Sequence, residues 1–293
     1  MKILLIGKNG QVGWELNRTL LPLGQVLPVD YPEIDLSQEQ STRDWVRQVN
    51  PQVIINAAAY TAVDRAESEP DLAMAINGTA PGILAEEALK IGAVLIHYST
   101  DYVFDGTKGD AYIETDLPNP INTYGWSKLA GDQNIQQVGG VYLIFRTAWV
   151  YSMRQGGFVQ KVLGWGRANE TLRIVSDQVG SPTWARMLAE VTAQVLAMGI
   201  EDIFGWAAER KGLYHLGGKG ETSRYEWAEA ILKFDPNPEE QIVKEVLPAL
   251  TSEFPTPAKR PLYSPVDCKL FEDTFRLCLP EWKEALRLGM GCE

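Results

Sequence analysis

Residues 2–13 read KILLIGKNGQVG, an apolar run followed by glycines at positions 7, 10 and 13. The apolar run predicts a buried parallel strand, and the apolar residues Trp14, Leu16 and Leu20 predict a helix after it. Glycines between strand and helix permit a tight turn and bring the backbone close to a pyrophosphate at the helix N-terminus. The spacing of Gly7, Gly10 and Gly13 departs from G-x-G-x-x-G, and an ordinary glycine turn is the alternative. The N-terminal position of the motif favours dinucleotide binding.

Strands and helices alternate through the first half of the chain. Continuous apolar runs predict further strands at 26–29, 53–55, 94–96 and 142–145, and a long helix is predicted from 70 to 91. This order predicts an α/β fold built on a doubly wound parallel sheet, the Rossmann arrangement.

After residue 150 the alternation gives way to helical patterns at about 156–167, 184–198, 222–233 and 281–289. We expect residues 1–150 to form a dinucleotide-binding Rossmann domain, with later segments at about 184–218 packing back on it. Residues 151–183 and 219–293 are expected to form a smaller, interwoven substrate-binding lobe.

The composition limits the possible partners. The chain has 293 residues, 45% of them hydrophobic, which is enough for one large domain or a domain with a smaller lobe. The formal net charge of −11 and the lack of a basic patch argue against nucleic acid as a partner. No apolar window reaches the roughly 18 residues of a membrane span. We therefore expect a cytoplasmic protein with neither a nucleic-acid nor a membrane partner.

Asp30 follows the second predicted strand and lies 17 residues after Gly13. An acid at this place usually binds the hydroxyls of the adenosine ribose and disfavours a 2′-phosphate, which points to NADH. Lys8, within the glycine turn, is available to meet such a phosphate instead. The choice between NADH and NADPH therefore stays open.

Two other segments are candidates for the cofactor site. The third predicted strand runs into NAAAYT at 56–61, where small residues allow a flat ring system to lie against the backbone. Close helix packing is the alternative reading of these alanines. Asp35 and Leu36 either flank the adenine or simply lead into a helix capped by Ser41 or Thr42.

Tyr124 and Lys128 lie four residues apart in a predicted helix and therefore project from one face. An ammonium beside a phenol favours the phenolate and lowers its pKa from about 10 toward neutrality. Thr100, just beyond the strand at 94–96, lies where open α/β sheets bind ligands and can offer a hydroxyl to the same oxygen. Asn77 is expected to hold the backbone or a water molecule behind Lys128. Tyr124, Lys128 and Thr100 together predict a site that donates a proton to a carbonyl. The alternative is that Tyr124 and Lys128 are an ordinary surface pair with this spacing by chance.

Trp149 follows the fifth predicted strand, at the edge of the sheet that carries Thr100. A tryptophan in a core is the commoner case. Its place at a strand end favours a wall against a sugar or a base.

Seven motifs span nearly the whole chain: Gly7-x-x-Gly10-x-x-Gly13, Asn56-Ala-Ala-Ala59, Ser99-Thr-Asp-Tyr-Val-Phe104, Tyr124-x-x-x-Lys128, Arg146-Thr-x-Trp149-Val-Tyr151, Asp177-Gln-x-Gly-x-Pro-Thr183 and Thr256-Pro-x-x-Arg-Pro261. Together they resemble the extended short-chain dehydrogenase/reductase family and, within it, the dTDP-4-dehydrorhamnose reductases. The tyrosine and lysine motif identifies only the superfamily. The motifs that begin at Ser99 and Asp177 are far more specific.

The resemblance implies a reaction in which NADPH or NADH reduces the C4 keto group of dTDP-4-dehydro-β-L-rhamnose to give dTDP-L-rhamnose. It implies that Tyr124 donates the proton, that Lys128 contacts the nicotinamide ribose and tunes Tyr124, and that Thr100 binds the sugar oxygen. Asp101 and Trp149 are expected to line the sugar. The implied cofactor contacts are Gly10, Gln11, Val12, Asp30, Asp35, Leu36, Ala59, Tyr60, Thr61 and Tyr98.

Some members of this family form a dimer that Mg²⁺ bridges through three glutamates. Glu15 matches the first of these positions, whereas Arg186 occupies the second and Cys292, next to Glu293, the third. Because a guanidinium cannot bind a cation and Mg²⁺ prefers oxygen ligands, we expect no metal bridge here. Glu190 lies too far along the helix to be assumed a substitute. The oligomeric state, monomer or homodimer, is left open.

Other functions of the same fold are alternatives. The 4,6-dehydratases that resemble this chain carry Asp-Glu after the threonine, where this chain has Asp101-Tyr102, and this difference favours simple reduction. Another sugar-nucleotide epimerase or reductase of the same fold is a further alternative. A non-catalytic nucleotide-binding regulatory subunit is a different class, and it would not need Thr100, Tyr124 and Lys128.

Overall fold

The computed structural model describes residues 1–154 and 156–291, and at its centre lies a six-stranded sheet. The strands of the chain are β1 (Lys2–Ile6), β2 (Gln25–Val29), β3 (Val53–Asn56), β4 (Val94–Thr100), β5 (Tyr142–Thr147), β6 (Val150–Tyr151), β7 (Thr171–Val175), β8 (Val179–Gly180), β9 (Thr183–Trp184), β10 (Gly212–His215), β11 (Thr222–Ser223) and β12 (Glu245–Ala249). The strand order of the sheet is β10-β5-β4-β3-β1-β2, and every neighbouring pair is parallel. The predicted doubly wound α/β fold is confirmed.

Helices cover both faces of this sheet. They are α1 (Gln11–Thr19), α2 (Glu39–Val49), α3 (Val63–Ala66), α4 (Pro70–Met74), α5 (Ala80–Ile91), α6 (Thr123–Val138), α7 (Phe158–Ala168), α8 (Ala185–Met198), α9 (Ile203–Ala208), α10 (Arg224–Lys233), α11 (Lys269–Phe275) and α12 (Trp282–Gly289). A π-helical turn, Ala75–Thr79, joins α4 to α5, so the helix predicted from 70 to 91 is continuous but not regular. No helix in the described ranges is long and apolar enough to cross a membrane.

Alternate residues of the central strands fill two cores. Ile3 and Leu5 face one side of the sheet with α8 and α11, while Leu4 and Ile6 face the other side with α2 and α5. All four side chains are fully buried. The reason is that successive side chains of a strand point to opposite faces, and both faces of a parallel sheet are covered.

Two local predictions differ from the structure. Strand β4 continues to Thr100 because its pairing with β5 extends to Thr147, so Thr100 ends the strand and does not follow it. The predicted cap of α2 by Ser41 or Thr42 is wrong because α2 begins at Glu39. The Ser41 hydroxyl instead accepts the backbone N–H of Asp35.

The chain after residue 150 contributes to two regions. Strand β10 pairs with β5 at the edge of the central sheet, and α8 packs against α1. Helices α7, α10 and α12 surround a third core that contains Tyr151 and Trp227. The division into a dinucleotide domain and a substrate lobe stays a prediction.

A buried carboxylate joins α2 to α5. The Glu87 side chain is 1% exposed and accepts hydrogen bonds from Arg43, Arg47 and Lys90 at 2.7–2.9 Å. Hydrogen bonding from Arg47, opposed by burial, lowers the pKa of Glu87 to about 2. The contribution to stability is therefore present above the ordinary carboxyl pKa and is lost as the pH falls toward 2.

We expect Glu87→Gln to lower the free energy of unfolding at pH 7 by roughly 2 kcal/mol. This is less than is typical of fully buried pairs, because half of the Arg47 side chain is exposed. Urea titrations at pH 7, 4 and 2.5 measure the difference, which should shrink as the pH falls. The matched control is Glu86→Gln, because Glu86 also pairs with Arg43 but its side chain is 45% exposed, against 1% for Glu87. Equal effects of the two substitutions at pH 7 would contradict the assignment.

Candidate active site

The carboxyl ends of the central strands open into a cleft of about 600 Å³ beside the point where the strand order reverses between β1 and β3. It lies between the glycine turn, the end of β4 and one face of α6. The predicted site residues that line it are Gly7, Gly10, Gln11, Val12, Asp30, Ala59, Thr61, Tyr98, Thr100, Asp101, Tyr124, Lys128 and Trp149. The sheet thus brings together residues that are spread from position 7 to position 149 of the chain.

Four predicted cofactor residues lie outside this lining: Gly13, Asp35, Leu36 and Tyr60. Leu36 is buried in the core beneath α2. The Asp35 carboxylate accepts the N–H and hydroxyl groups of Ser37, and the Tyr60 hydroxyl donates to Glu69. Their roles as cofactor contacts stay predictions.

The glycine turn is a close crossing of backbones. Gly7 has φ +92°, and a Cβ placed on it would lie 2.6 Å from the backbone nitrogen of Ala58. A Cβ on Gly13 would lie 1.9 Å from the carbonyl oxygen of Gly7. Strand β1, helix α1 and the segment after β3 therefore meet at distances that exclude side chains.

Charged side chains next to the glycine turn stabilise it by hydrogen bonds and an ion pair. The Asp30 carboxylate accepts the backbone N–H groups of Asn9 and Tyr31, both at 2.9 Å. Lys8 Nζ lies 2.8 Å from the Glu33 carboxylate, and its hydrogen bond lowers the pKa of Glu33. Lys8 is thus ion-paired, while Asp30 both stabilises the turn and lines the cleft.

Tyr124 lies in the first turn of α6, whose N-terminus is capped by the Asn122 side chain. The tyrosine is half-buried and lines the cleft. Burial raises the pKa of Tyr124, and its hydrogen bond with the Thr100 hydroxyl opposes this effect. The prediction that Lys128 makes this phenol unusually acidic is wrong for this structure, because desolvation outweighs the neighbouring groups.

Lys128 is 1% exposed and points into the molecule. Its Nζ donates to the Tyr98 carbonyl oxygen at 2.7 Å and lies 3.1 Å from His97 Nε2. Burial lowers the pKa of Lys128 to about 8, with the charge of Asp132 acting in the opposite direction. Asn56 contacts the other ring nitrogen of His97 at 3.1 Å. Lys128 is therefore held by a buried polar chain that runs across β3 and β4.

Asn77 lies in the π-helical turn and is 1% exposed. Its amide accepts the Tyr60 N–H at 2.8 Å and donates to the Tyr60 carbonyl and the Ser127 hydroxyl, both at 3.0 Å. Of the two roles predicted for it, the contact with the backbone is observed. Such π-turns frequently mark functional sites, and this one fixes the segment between Ala59 and Thr61.

The other end of the cleft holds a buried acid. Asp101 accepts the Ser264 hydroxyl at 2.6 Å and the Thr100 hydroxyl at 3.1 Å. Burial raises the pKa of Asp101 to about 6, against these hydrogen bonds and the nearby charge of Arg224. Trp149 is half-buried, adopts φ +43°, stacks on Trp227 and lines the cleft. Its role as a wall against a sugar or a base stays a prediction.

Three residues of this region were not found from the sequence. His97 gave a signal, because it is a polar residue inside the apolar run of β4. Ser264 reaches Asp101 across 163 positions, and Arg224 enters the cleft from α10, a helix outside the alternating pattern. Contacts of this kind leave no local pattern in a sequence.

The expected lack of a metal bridge rests on Arg186. Its guanidinium pairs with Glu190 at 2.7 Å, and Glu15 on α1 acts on it electrostatically. No group of three metal-ligating side chains occurs within 1–154 and 156–291. Cys292 and Glu293, which the third metal position involves, lie outside the described residues.

Comparison with known proteins places these features in a family. Residues 1–290 match the family model described as the RmlD substrate binding domain. The chain belongs to the RmlD family. A dTDP-4-dehydrorhamnose reductase from Burkholderia thailandensis is 43% identical over 291 residues, which are 98% of this chain and 97% of that protein.

Two solved structures extend the RmlD comparison to three dimensions. A dTDP-4-dehydrorhamnose reductase from Clostridium acetobutylicum has a TM-score of 0.89 and 36% identity, with 99% of each chain covered. The Bacillus anthracis reductase, solved in complex with NADP, has a TM-score of 0.88 and 34% identity, with 98% of each chain covered. The resemblance to the dTDP-4-dehydrorhamnose reductases is confirmed.

We expect Gly13→Ala to weaken NADPH binding at least tenfold, because the new methyl group would push α1 away from Gly7 and open the turn. Titration of NADPH fluorescence measures the affinity. The control is Gly164→Ala on α7, where a Cβ meets open space and alanine should raise the stability by about 1 kcal/mol. An unchanged NADPH affinity in Gly13→Ala would contradict the assigned role of the turn.

Proposed function

We propose that this RmlD-family protein catalyses the reduction by NADPH or NADH of the C4 keto group of dTDP-4-dehydro-β-L-rhamnose, which yields dTDP-L-rhamnose. The observation that carries the proposal is that Tyr124, with Thr100 beside it, lines the same cleft as the glycine turn. A proton donor and a dinucleotide site thus share one cavity. The names of the relatives supply the substrate.

The residues of the cleft fit a dinucleotide. Gly7 and Gly10 have no side chains, so a pyrophosphate can approach the backbone at the N-terminus of α1, where an anion is favoured. Ala57–Ala59 present no bulky side chain to the cleft. We infer that Asp30 faces the adenosine ribose. Lys8 is paired with Glu33, so neither Lys8 nor Asp30 decides between NADPH and NADH. Both cofactors therefore belong in the assay.

A bound reduced nicotinamide supplies the hydride for the reaction. Tyr124 donates the proton to the developing alkoxide oxygen, and its raised pKa keeps the phenol protonated at neutral pH, which is the form a donor needs. The Thr100 hydroxyl, which donates to Asp101 before the reaction, then turns its proton to the phenolate that remains. Lys128, tied to the Tyr98 carbonyl, keeps α6 fixed and contributes positive charge when protonated.

The sugar is expected to lie against Asp101 and Trp149. The Asp101 carboxylate accepts the Thr100 hydroxyl and so orients this group, while Trp149 lines the same cleft beside it. We propose that residues 1–150 hold the dinucleotide and that 151–183 and 219–293 hold the sugar nucleotide. A cytoplasmic location, and a monomer or homodimer, stay predictions from the sequence.

Replacing the proton donor tests the proposal. We expect Tyr124→Phe to lower kcat with dTDP-4-dehydro-L-rhamnose at least 100-fold and to leave the NADPH affinity within about twofold, because only the hydroxyl is lost. Oxidation of NADPH and of NADH is followed by absorbance. Tyr142→Phe, on β5 away from the cleft, is the matched control. Unchanged turnover in Tyr124→Phe would overturn the mechanism, and sugar conversion without net oxidation of cofactor would indicate an epimerase.

Removal of metal is expected to have no effect. With Arg186 in place of an oxygen ligand, dialysis against EDTA should change neither turnover nor the mass measured by light scattering. The matched sample is the same preparation supplied with 5 mM Mg²⁺, about the saturating range for weak oxygen sites. Loss of turnover or a change of mass on chelation would show that Glu15 takes part in a metal site.

A further inference from the structure

Arg224 is a cation at the cleft that forms no ion pair with a carboxylate in the part of the chain that the structure describes. It lies at the start of α10 and is half-buried. Within residues 1–154 and 156–291, the buried carboxylates of Glu87, Asp132 and Asp235 pair with other arginines. The buried Asp101 carboxylate accepts hydroxyl groups and acts on Arg224 only through its charge. The side-chain partner of Arg224 is the hydroxyl of Tyr102. Burial lowers the pKa of Arg224 to about 10, which still leaves the guanidinium charged at neutral pH.

Aromatic rings hold this guanidinium in place. Its central carbon lies 3.6 Å from the ring centre of Trp149, 5.0 Å from that of Phe158 and 5.4 Å from that of Trp227. Stacking on rings leaves the N–H groups at the edge of the guanidinium free to donate. A planar fork of donors fixed in this way suits the oxygens of a phosphate.

Arg224 also separates two cavities. The catalytic cleft lies on one side of it, and on the other lies a mostly apolar cavity of about 430 Å³ lined by Phe158, Trp165, Ile174 and Phe254. Arg224 is the one residue common to the linings of these two cavities in the described part of the chain. The Arg224 guanidinium therefore lies between the catalytic cleft and an apolar cavity large enough for an aromatic ring.

We propose that Arg224 binds the diphosphate of the sugar nucleotide and that the apolar cavity beside it receives the pyrimidine base. The order of the ligand, sugar then diphosphate then base, matches the order of cleft, cation and apolar cavity. In a protein with a net charge of −11, a local cation is needed to hold a dianion. This inference rests on the proposed function, because it takes the sugar nucleotide as substrate.

The test uses dTDP alone as the probe, so that it does not depend on turnover. We expect Arg224→Gln to weaken dTDP binding at least tenfold in calorimetric titrations and to leave the NADPH affinity unchanged. The dTDP affinity of Arg224→Lys should lie between those of Arg224→Gln and the unmodified protein. Arg210→Gln is the matched control, because Arg210 also stacks on a tryptophan, Trp206 at 4.6 Å, but away from the cleft. A dTDP affinity within twofold of the unmodified protein in Arg224→Gln would overturn the inference.

A second variant tests the base. Phe254 is 43% exposed, so Phe254→Ala should fold normally and weaken dTDP binding at least threefold by loss of stacking. An unchanged affinity would overturn the placement of the base. Binding of dTDP that requires Arg224, without reduction of the keto sugar, would support this inference and overturn the proposed reaction. A protein that binds NADPH but not dTDP would overturn the inference itself.

Discussion

The candidate active site depends on one buried ammonium group. Lys128 on α6 donates to the Tyr98 carbonyl of β4, and this contact fixes the helix against the strand that carries Thr100. Because Tyr124 lies one turn earlier on the same helix, its position follows from that contact. A buried cation is costly unless it has partners, and His97 and Asp132 lie close to Lys128 as well.

Burial acts on the three ionisable groups of the site in a consistent way. It raises the pKa of Tyr124 and Asp101 and lowers that of Lys128, so that each is shifted toward its neutral form. A neutral phenol is what a reductase requires of a proton donor. The tuning attributed to the lysine on sequence grounds thus comes mainly from the environment, with the hydroxyl of Thr100 working against it.

The sequence predicted the framework well, because each part of it has a local signature. Apolar runs marked the strands, the glycines at 7, 10 and 13 marked the turn, and the spacing of Tyr124 and Lys128 marked the helix face. These signals depend on near neighbours in the chain.

What the sequence did not predict depends on distant contacts. Nothing near Ser264 indicates that it meets Asp101, and nothing near Arg224 indicates that it lies over Trp149. Desolvation leaves no mark in a sequence, since it is produced by the whole surrounding structure, and this is why the sequence does not indicate the raised pKa of Tyr124. The start of α2 was misplaced because the Ser41 hydroxyl serves the turn before the helix.

The π-helical turn Ala75–Thr79 positions the Asn77 amide beneath the cleft without changing how α5 packs on the sheet. Such a turn contains one residue more than the α-helix around it, so shortening it by one would restore regular winding and leave α5 in its present phase on the sheet. Leu84 would stay covered, whereas the amide beneath Tyr60 would be displaced. A change of length here would thus keep the phase of α5 and loosen the part of the cleft that Ala59 and Thr61 line.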